Sequence, residues 1–439
     1  MSKRIATLVA LLALLAAACG NAGTDSNATG GGGNAPTGTA TATDLTRKVP
    51  VDQPGVTDTE IRVGGVVSKT NPLGGNYDDA FDGVRAYFEM INAQGGIYGR
   101  RLVLAAERDD QVVNNQQEVQ ALISQDKVFA ILPVATLLFT GADLAATSGT
   151  PTFGWTINPE WAGPPNLFGD RGGELCFDCP TPVVPWLAKD AGAKKVAVLA
   201  YNVPQSKRCA EGIIASFRRW PTAEVAFQDL ALSYGVTDFS VQVGKMKQAG
   251  VELVTTCMDL NGVTNLAREL DKQQLSAVQY MPNAYDHDFA KRFADLVEGS
   301  LVLTWFAPFE VPDPPEGTKR YFEWIDRTGG TRSELSMSGW LAADLFYRGL
   351  VAAGPEFTQQ KVIDAINTFD NWTADGSIPG VDWTIAHKQR PPLSCGAISR
   401  IDNGGFVPLY GEAGRPFICF DVEADQLPDR PEPTAGATR

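Results

Sequence analysis

Histidine is almost absent from this sequence, in which only His287 and His387 occur among 439 residues. Two histidines cannot form a polyhistidine metal site, and a histidine-dependent catalytic triad would have to use one of them. Neither lies in a nucleophile-elbow or metal-binding motif, so we assign both to surface or packing roles. The GxGxxG and P-loop signatures are missing as well. We therefore expect a protein that is not an enzyme and that holds no cofactor and no metal.

Positive charge is also scarce, because 37 Lys and Arg stand against 51 Asp and Glu and give a net charge of -14. Such a field repels phosphate backbones and anionic lipid surfaces, which argues against a nucleic-acid partner. With 44% hydrophobic and 20% charged residues, the composition is that of a globular protein. At about 100–200 residues per domain, the length predicts two to four domains.

The sequence lacks an apolar run long enough for a transmembrane helix. The apolar run near the N terminus covers only about residues 8–15. It follows a basic start and ends in small residues before Cys19, which is the pattern of an export signal over residues 1–18. The junction resembles a bacterial lipobox, although Ala16 stands where Leu is more usual, so we expect lipidation of Cys19. A plain secretory signal is the alternative.

Both ends of the processed chain have few bulky apolar side chains and cannot offset the entropy of ordering. We predict a flexible tether over residues 19–50 and a disordered tail over residues 426–439. A lipid anchor and a tether would hold the folded part at the outer face of the bacterial cytoplasmic membrane, in the periplasm or at the cell surface.

Cysteine is sparse, and removing Cys19 from the seven leaves six, an even number in an oxidising compartment. Fifteen pairings are possible. A zinc site is a weak rival because only one CxxC spacing exists, and a redox CxxC is disfavoured because the motif does not open a helix after a strand. The sequence favours Cys176–Cys179 as a tight local loop, Cys209–Cys257 between a helix start and the end of a nearby strand, and Cys395–Cys419 across a C-terminal hairpin.

Strand-length apolar runs alternate with amphipathic helical runs twice, over about residues 61–154 and 196–304, with a Gly/Pro/Asp-rich linker over residues 159–182 between them. This alternation predicts parallel sheets covered by helices. The fold class is therefore α/β, with two Rossmann-like lobes and a cleft between them. Ligands bind beyond the carboxyl ends of such strands.

Several stretches resemble type I periplasmic binding proteins, specifically the leucine/isoleucine/valine-binding branch that serves ABC importers. The most specific is INAQGGIYGRRL (residues 91–102), followed by GTPTFGWTINPEW (residues 149–161) and KKVAVLAYN (residues 194–202). The likeness covers about residues 58–425. It implies three chain crossings in a hinge, which we place near residues 170–179, 305–315 and 371–391. The predicted lobes are residues 51–175 plus 310–380 and residues 176–309 plus 381–425.

The resemblance also implies ligand contacts, because first-lobe loops of this family hold the ligand carboxylate and an acidic or aromatic residue of the second lobe holds the ammonium. Thr136 lies in the first such loop, whereas the hydroxyl position of the second loop maps to Ile157 or Asn158, with Thr156 adjacent to it. Trp155 is either a stacking wall or packed under the loop, and Asp259 is either a cation anchor or a helix cap. The candidates are Ser68, Thr136, Trp155, Thr156, Tyr201, Gln205, Asp259, Asn261 and Tyr285.

Together these features predict a monomeric solute-binding lipoprotein of an ABC importer that closes around a small organic solute and delivers it to a membrane permease. Branched-chain amino acids are the family default, and Trp155 leaves an aromatic or other solute open. An extracellular sensor of the same fold that signals to a receptor or kinase is the alternative. A redox enzyme using Cys176 and Cys179 is the third hypothesis.

Overall fold

The computed structural model describes residues 44–173 and 176–436. The predicted signal peptide, Cys19 and residues 19–43 of the tether lie outside the described residues. In chain order the described strands are β1 (Glu60–Val67), β2 (Arg101–Asp109), β3 (Ala130–Ala135), β4 (Thr152–Gly154), β5 (Leu167–Gly169), β6 (Lys195–Tyr201), β7 (Glu224–Leu232), β8 (Leu253–Cys257), β9 (Val278–Tyr280), β10 (Leu301–Thr304), β11 (Cys395–Asp402), β12 (Gly405–Leu409), β13 (Phe417–Cys419) and β14 (Pro433–Thr434).

The helices follow the strands as the alternation of the sequence predicts. They are α1 (Asp79–Ala93), α2 (Asn115–Ser124), α3 (Ala142–Ser148), α4 (Val183–Asp190), α5 (Pro204–Arg219), α6 (Ser240–Ala249), α7 (Leu260–Lys272), α8 (His287–Arg292), α9 (Ala294–Val297), α10 (Glu316–Thr328), α11 (Glu334–Ala353), α12 (Gln359–Ile366) and α13 (Trp383–Ala386). Among the described helices, none combines the length and apolar character needed to cross a bilayer.

The first lobe is built on a parallel sheet of order β2-β1-β3-β4-β5. Side chains alternate between the two faces of β1, so Val63 and Val67 pack on the α1 and α11 side while Val66 packs on the α2 and α3 side. Both faces are thus covered by helices, as a buried parallel sheet requires.

The second lobe is built on parallel strands in the order β7-β6-β8-β9-β10, and β11 adds antiparallel to β10. β12 and β13 each pair with β11, and β14 pairs with β13. The chain crosses between the lobes after β5, after β10 and before β11. The predicted architecture of two α/β lobes and a three-segment hinge is therefore confirmed.

The three disulfides are those that the sequence favours. Cys209 of α5 is joined to Cys257 at the end of β8, and Cys176 is joined to Cys179 in the first crossing. Cys395 and Cys419 are opposed residues of β11 and β13 and are also bonded.

Parts of the predicted tether and tail are ordered. Arg100 is buried, and its Nη2 donates to the backbone O of Val49 at 2.8 Å, so the last tether residues pack on the first lobe. Residues 426–436 were predicted to be disordered, but the indole of Trp186 donates to Pro428 O at 3.1 Å and Pro433 pairs with β13. The exposed edge of β13 supplies backbone groups that this segment satisfies.

Other differences arise from short elements. β5 and α4 lie in or beside the predicted linker and have no periodicity long enough to read from sequence. The boundary at residue 381 also misplaces α13, because Trp383 and His387 pack on Phe168 of β5 in the first lobe. Burial lowers the pKa of His387 to about 4, so this histidine has a packing role, as assigned.

Two glycines let α1 and α11 approach closely. A Cβ on Gly83 would lie 1.8 Å from the carbonyl oxygen of Ser336, and one on Gly339 would lie 1.9 Å from that of Ala80. The obstructing atoms are backbone, so they cannot turn aside as a side chain would. This contact fixes the start of α11 relative to the first sheet.

We predict that Gly83→Ala destabilises the protein by roughly 1–3 kcal/mol, because the added methyl group forces the two helices apart. Urea unfolding followed by circular dichroism measures this change. The matched control is Gly244→Ala in α6, where an added Cβ would meet only the Gln273 side chain, at 3.7 Å. That change should stabilise the helix by about 0.5–1 kcal/mol, and equal effects at both sites would contradict the close approach.

Candidate functional site

A cavity of about 270 Å³ lies between the lobes, beyond the carboxyl ends of β4, β6, β8 and β9. Its wall is largely apolar and aromatic, and both lobes and the hinge contribute to it. The ring-bearing residues of the wall are Tyr77, Trp155, Phe177, Tyr201, Tyr234, Tyr280, Tyr285 and Trp305. A largely apolar cleft or cavity with a few polar groups is the usual form of a small-molecule site.

Five of the nine predicted ligand contacts line this cavity, and four do not. Those that line it are Trp155, Tyr201, Gln205, Asp259 and Tyr285. Ser68, Thr136, Thr156 and Asn261 are outside its lining.

The predicted hydroxyl clamp of the first lobe is not assembled at the cavity wall. Ser68 Oγ donates to Asp110 Oδ1 at 2.8 Å and accepts from the N–H of Leu137 at 3.0 Å. Thr156 donates its N–H and its hydroxyl to Asp170 Oδ1 at 3.1 and 3.0 Å. Thr136 is buried, and its hydroxyl has no hydrogen-bond partner among the described residues. Ser68 and Thr156 therefore hold loops in place through buried carboxylates, which a sequence motif does not reveal.

Asp259 caps a helix and also faces the cavity. Its Oδ1 accepts the N–H groups of Asn261 and Gly262 at the start of α7, at 2.8 and 3.1 Å. Its Oδ2 accepts the hydroxyl of Tyr201 at 2.7 Å. The capping alternative is thus what the structure shows, and three donors already occupy this carboxylate.

Tyr285 lines the cavity, and its hydroxyl is already hydrogen-bonded within the protein. Its hydroxyl donates to Glu310 Oε2 at 2.7 Å and accepts the N–H of Phe309 at 2.6 Å. His287 completes the group, with Nε2 at 2.6 Å from Glu310 Oε1.

Two predicted residues connect the lobes at the cavity mouth. Asn261 of α7 donates from Nδ2 to the backbone O of Pro72 at 3.3 Å, and Gln205 of α5 donates from Nε2 to that of Leu137 at 3.4 Å. Both donors belong to the second lobe and both acceptors to the first. Two weak hydrogen bonds therefore join the lobes beside the cavity.

The most distinctive polar group of the cavity, Arg171, was missed by the sequence analysis because it lies in the linker between the two α/β units. Its guanidinium carbon lies 3.4 Å from the centre of the Trp305 ring, so residues from two hinge crossings stack on each other. The charged side chain is only 12% exposed. The available signal was that Arg171 is the only basic residue of the linker over residues 159–182.

Glu334 was also missed, because it reads as an ordinary first-turn acid of α11. Burial raises its pKa to about 8, with Arg171 acting in the opposite direction. Its Oε1 has no hydrogen-bond partner among the described residues. Ser333, the residue before it, caps α11 and fixes where this carboxyl group enters the cavity.

A metal at the CxxC segment does not fit the bonding of its sulfurs. Cys176, Asp178 and Cys179 have side-chain ligand atoms close together. The two sulfurs are joined in a disulfide, however, and so cannot act as thiolate ligands.

Comparison with known proteins gives consistent matches. A family model described as periplasmic binding protein matches residues 60–405. The fold is similar to a fatty acid ABC transporter substrate-binding protein from Thermomonospora curvata, with a TM-score of 0.69 and 19% identity over 87% of this chain and 97% of that one. No curated protein sequence matches the chain.

Two further solved structures share the fold. A branched-chain amino acid ABC transporter protein from Thermus thermophilus with bound valine gives a TM-score of 0.66 and 18% identity over 81% of this chain and 96% of that one. A solute-binding protein from R. palustris in complex with benzoate gives a TM-score of 0.63 and 14% identity over 80% of this chain and 95% of that one.

We predict that the wild-type protein becomes less stable as the pH rises, because Glu334 must lose its proton, and that Glu334→Gln abolishes this part of the pH dependence. The raised pKa means that the folded state holds the proton more tightly than the unfolded chain. The contribution of Glu334 to the free energy of unfolding is therefore complete below pH 4.5 and is lost between pH 4.5 and about 8. Within that pH range the free energy of unfolding of the wild type should fall by up to about 1.4 kcal/mol per pH unit relative to that of the variant. Urea unfolding at pH 5, 6.5 and 8 measures the difference.

The control is Glu316→Gln, which alters the exposed first residue of α10 and should leave the pH profile unchanged. Arg171, Asp170 and Asp286 act on Glu334 and are present in both variants. Parallel profiles for wild type and Glu334→Gln would contradict the raised pKa.

Proposed function

The chain belongs to the periplasmic binding protein family, and on that premise we propose that it is the extracytoplasmic solute-binding lipoprotein of an ABC importer. It captures a small organic solute, an amino acid or a related compound, in the cleft between its lobes. It acts as a monomer and presents the closed form to a membrane permease. The solute is released unchanged, since the protein performs no bond chemistry.

The observation that carries this proposal is the cavity itself, which is bounded by both lobes and bridged at its mouth. A solute that touches both walls stabilises the closed arrangement, because its contacts with the two lobes are complete only there. The mouth contacts of Asn261 and Gln205 are side-chain to backbone bonds longer than 3.2 Å, so they add little by themselves. Closure therefore depends on the solute, which is what a capture-and-release protein requires.

Solute binding should raise the melting temperature and make the protein more compact. A solute at 100 times its dissociation constant adds about 2.7 kcal/mol to the free energy of unfolding. Thermal-shift screening with amino acids, aromatic acids, fatty acids and amides identifies it, and small-angle scattering then measures the decrease in radius of gyration. Absence of any thermal shift and of any compaction across these classes would overturn the proposal.

A variant pair links binding to closure. Asn261→Ala removes a contact between the lobes and should weaken solute binding by a few fold. Asn265→Ala is the matched control one turn along α7, where the side chain bonds to Arg268 of the same helix. Equal effects of the two variants would argue against closure at the mouth.

We predict that Cys19 anchors the protein. With its own leader and in a bacterial host, the wild type should enter the membrane fraction and incorporate labelled fatty acid, whereas Cys19→Ser should do neither. Ala16→Leu, which brings the junction closer to the usual lipobox, serves as a control that keeps the anchor. Membrane retention of Cys19→Ser with unchanged labelling would contradict lipidation at this residue.

A further inference from the structure

Arg171 carries a buried positive charge with unused hydrogen-bonding capacity. Its Nε and Nη2 make no hydrogen bond to any described residue, although both nitrogens are shielded from solvent. The nearest described carboxylate oxygen is Asp170 Oδ1, 3.9 Å from Nε, which is too long for a hydrogen bond. Asp170 thus forms an ion pair with Arg171 but leaves the buried Nε–H and Nη2–H donors without a hydrogen bond, so a further anionic group that accepts from them is favourable.

Asp170 cannot move to become that partner without breaking other contacts. Its Oδ1 accepts two hydrogen bonds from Thr156, and its Oδ2 accepts the hydroxyl of Ser338 at 2.7 Å. These bonds tie the first crossing to the loop after β4 and to α11. The carboxylate is therefore committed to the first lobe, and the guanidinium remains available to the cavity.

Trp305 holds the guanidinium group in a defined plane. The stacked geometry, with 3.4 Å between the guanidinium carbon and the ring centre, restricts the rotation of Arg171 about its last bonds. A planar fork held in this way matches the two oxygens of a carboxylate, and less rotational entropy is lost when they bind.

The acidic groups of the cavity offer little to a cationic solute. Asp259 and Asp286 cap α7 and α8, and burial raises the pKa of Asp79 to about 6. The fourth, Glu334, has a pKa raised to about 8 and is mainly protonated at pH 7. In that form it can donate a hydrogen bond to an anion beside Arg171.

The rest of the wall is suited to an apolar body. The rings of Tyr77 and Trp155 lie 5.7 Å apart on the first-lobe side. Met258 and the ring of Tyr280 lie on the second-lobe side. Cavities lined by such side chains bind the hydrocarbon part of a ligand by removing it from water.

We propose that the solute of this cleft is an organic acid, with a carboxylate bound by Arg171 on the face of Trp305 and an apolar body packed on the aromatic wall. This inference rests on the proposed function. It places the charged end of the solute at the hinge, where two chain crossings meet, and the apolar end between the lobes.

Matched probes test the carboxylate directly. Isothermal titration calorimetry at pH 7 compares 3-phenylpropanoate and octanoate with their amides and with 3-phenylpropylamine and octylamine. At least one acid should bind about tenfold or more tightly than its own amide and amine, because only the acid satisfies the guanidinium. Tighter binding of an amide or an amine would overturn the inference.

Variants locate the group that binds the acid. Arg171→Met keeps the length of the side chain without its charge and should reduce the affinity for the acid to that for the amide, while the affinity for the amide changes little. Arg171→Lys keeps the charge without the fork and should give an intermediate value. Arg327→Met, on the exposed side of α10, is the control and should leave both affinities unchanged. An unchanged affinity for the acid in Arg171→Met and Arg171→Lys would overturn the assignment.

L-Phenylalanine distinguishes a simple acid from an amino acid, since both present a carboxylate. If it binds more tightly than 3-phenylpropanoate and loses that affinity in Arg171→Met, the carboxylate assignment holds and the solute also carries an amino group. Thermal melts of each variant without solute verify folding, and Arg171→Lys remains as the test if Arg171→Met does not fold.

The outcomes separate this inference from the proposed function. If a solute without a carboxylate compacts the protein and no acid binds, the carboxylate assignment is wrong and the solute-binding function stands. If no compound of any class compacts the protein or raises its melting temperature, the proposed function itself fails.

Discussion

The stack between Arg171 and Trp305 joins the first hinge crossing to the second in the wall of the cleft. Asp170 extends this contact into the first lobe through its bonds to Thr156 and Ser338. The two crossings and the first lobe are thus linked by one chain of contacts through Asp170, Arg171 and Trp305.

The polar groups of the cleft divide into those that are used by the fold and those that are not. Asp259 lines the cleft and is occupied by the cap of α7, and Ser68 and Thr156, which lie outside the lining, are occupied by loop contacts. Arg171 and Glu334 are buried with donors or acceptors that no described residue satisfies. Unsatisfied buried polar atoms are rare in folded proteins, and those of Arg171 and Glu334 belong to residues that line the same cavity. Because three donors already occupy its carboxylate, Asp259 is a poor anchor for a cationic solute although it lines the cavity wall.

Much of the fold could be predicted because it depends on local patterns. The alternation of strand and helix periods identified both lobes, and the composition of the linkers located the crossings. The even cysteine count and the spacing gave the three disulfides that the structure shows. Short elements such as β5 and β14 escaped prediction, since they exist only through pairing with a neighbouring strand and have no pattern of their own.

The sequence by itself determined the two-lobed α/β architecture, since hydrophobic periodicity decides which residues are buried in each element. It also determined which loops approach the cleft, because the carboxyl ends of parallel strands share one edge. Only the tertiary structure decided which polar side chains in those loops remain available. Hydrogen bonds between residues far apart in the chain, such as that of Ser338 to Asp170, assign each group its partner. Arg171 keeps unused hydrogen-bond donors in the cleft because the oxygens of Asp170, its neighbour in sequence, accept from Thr156 and Ser338, which no local pattern reveals.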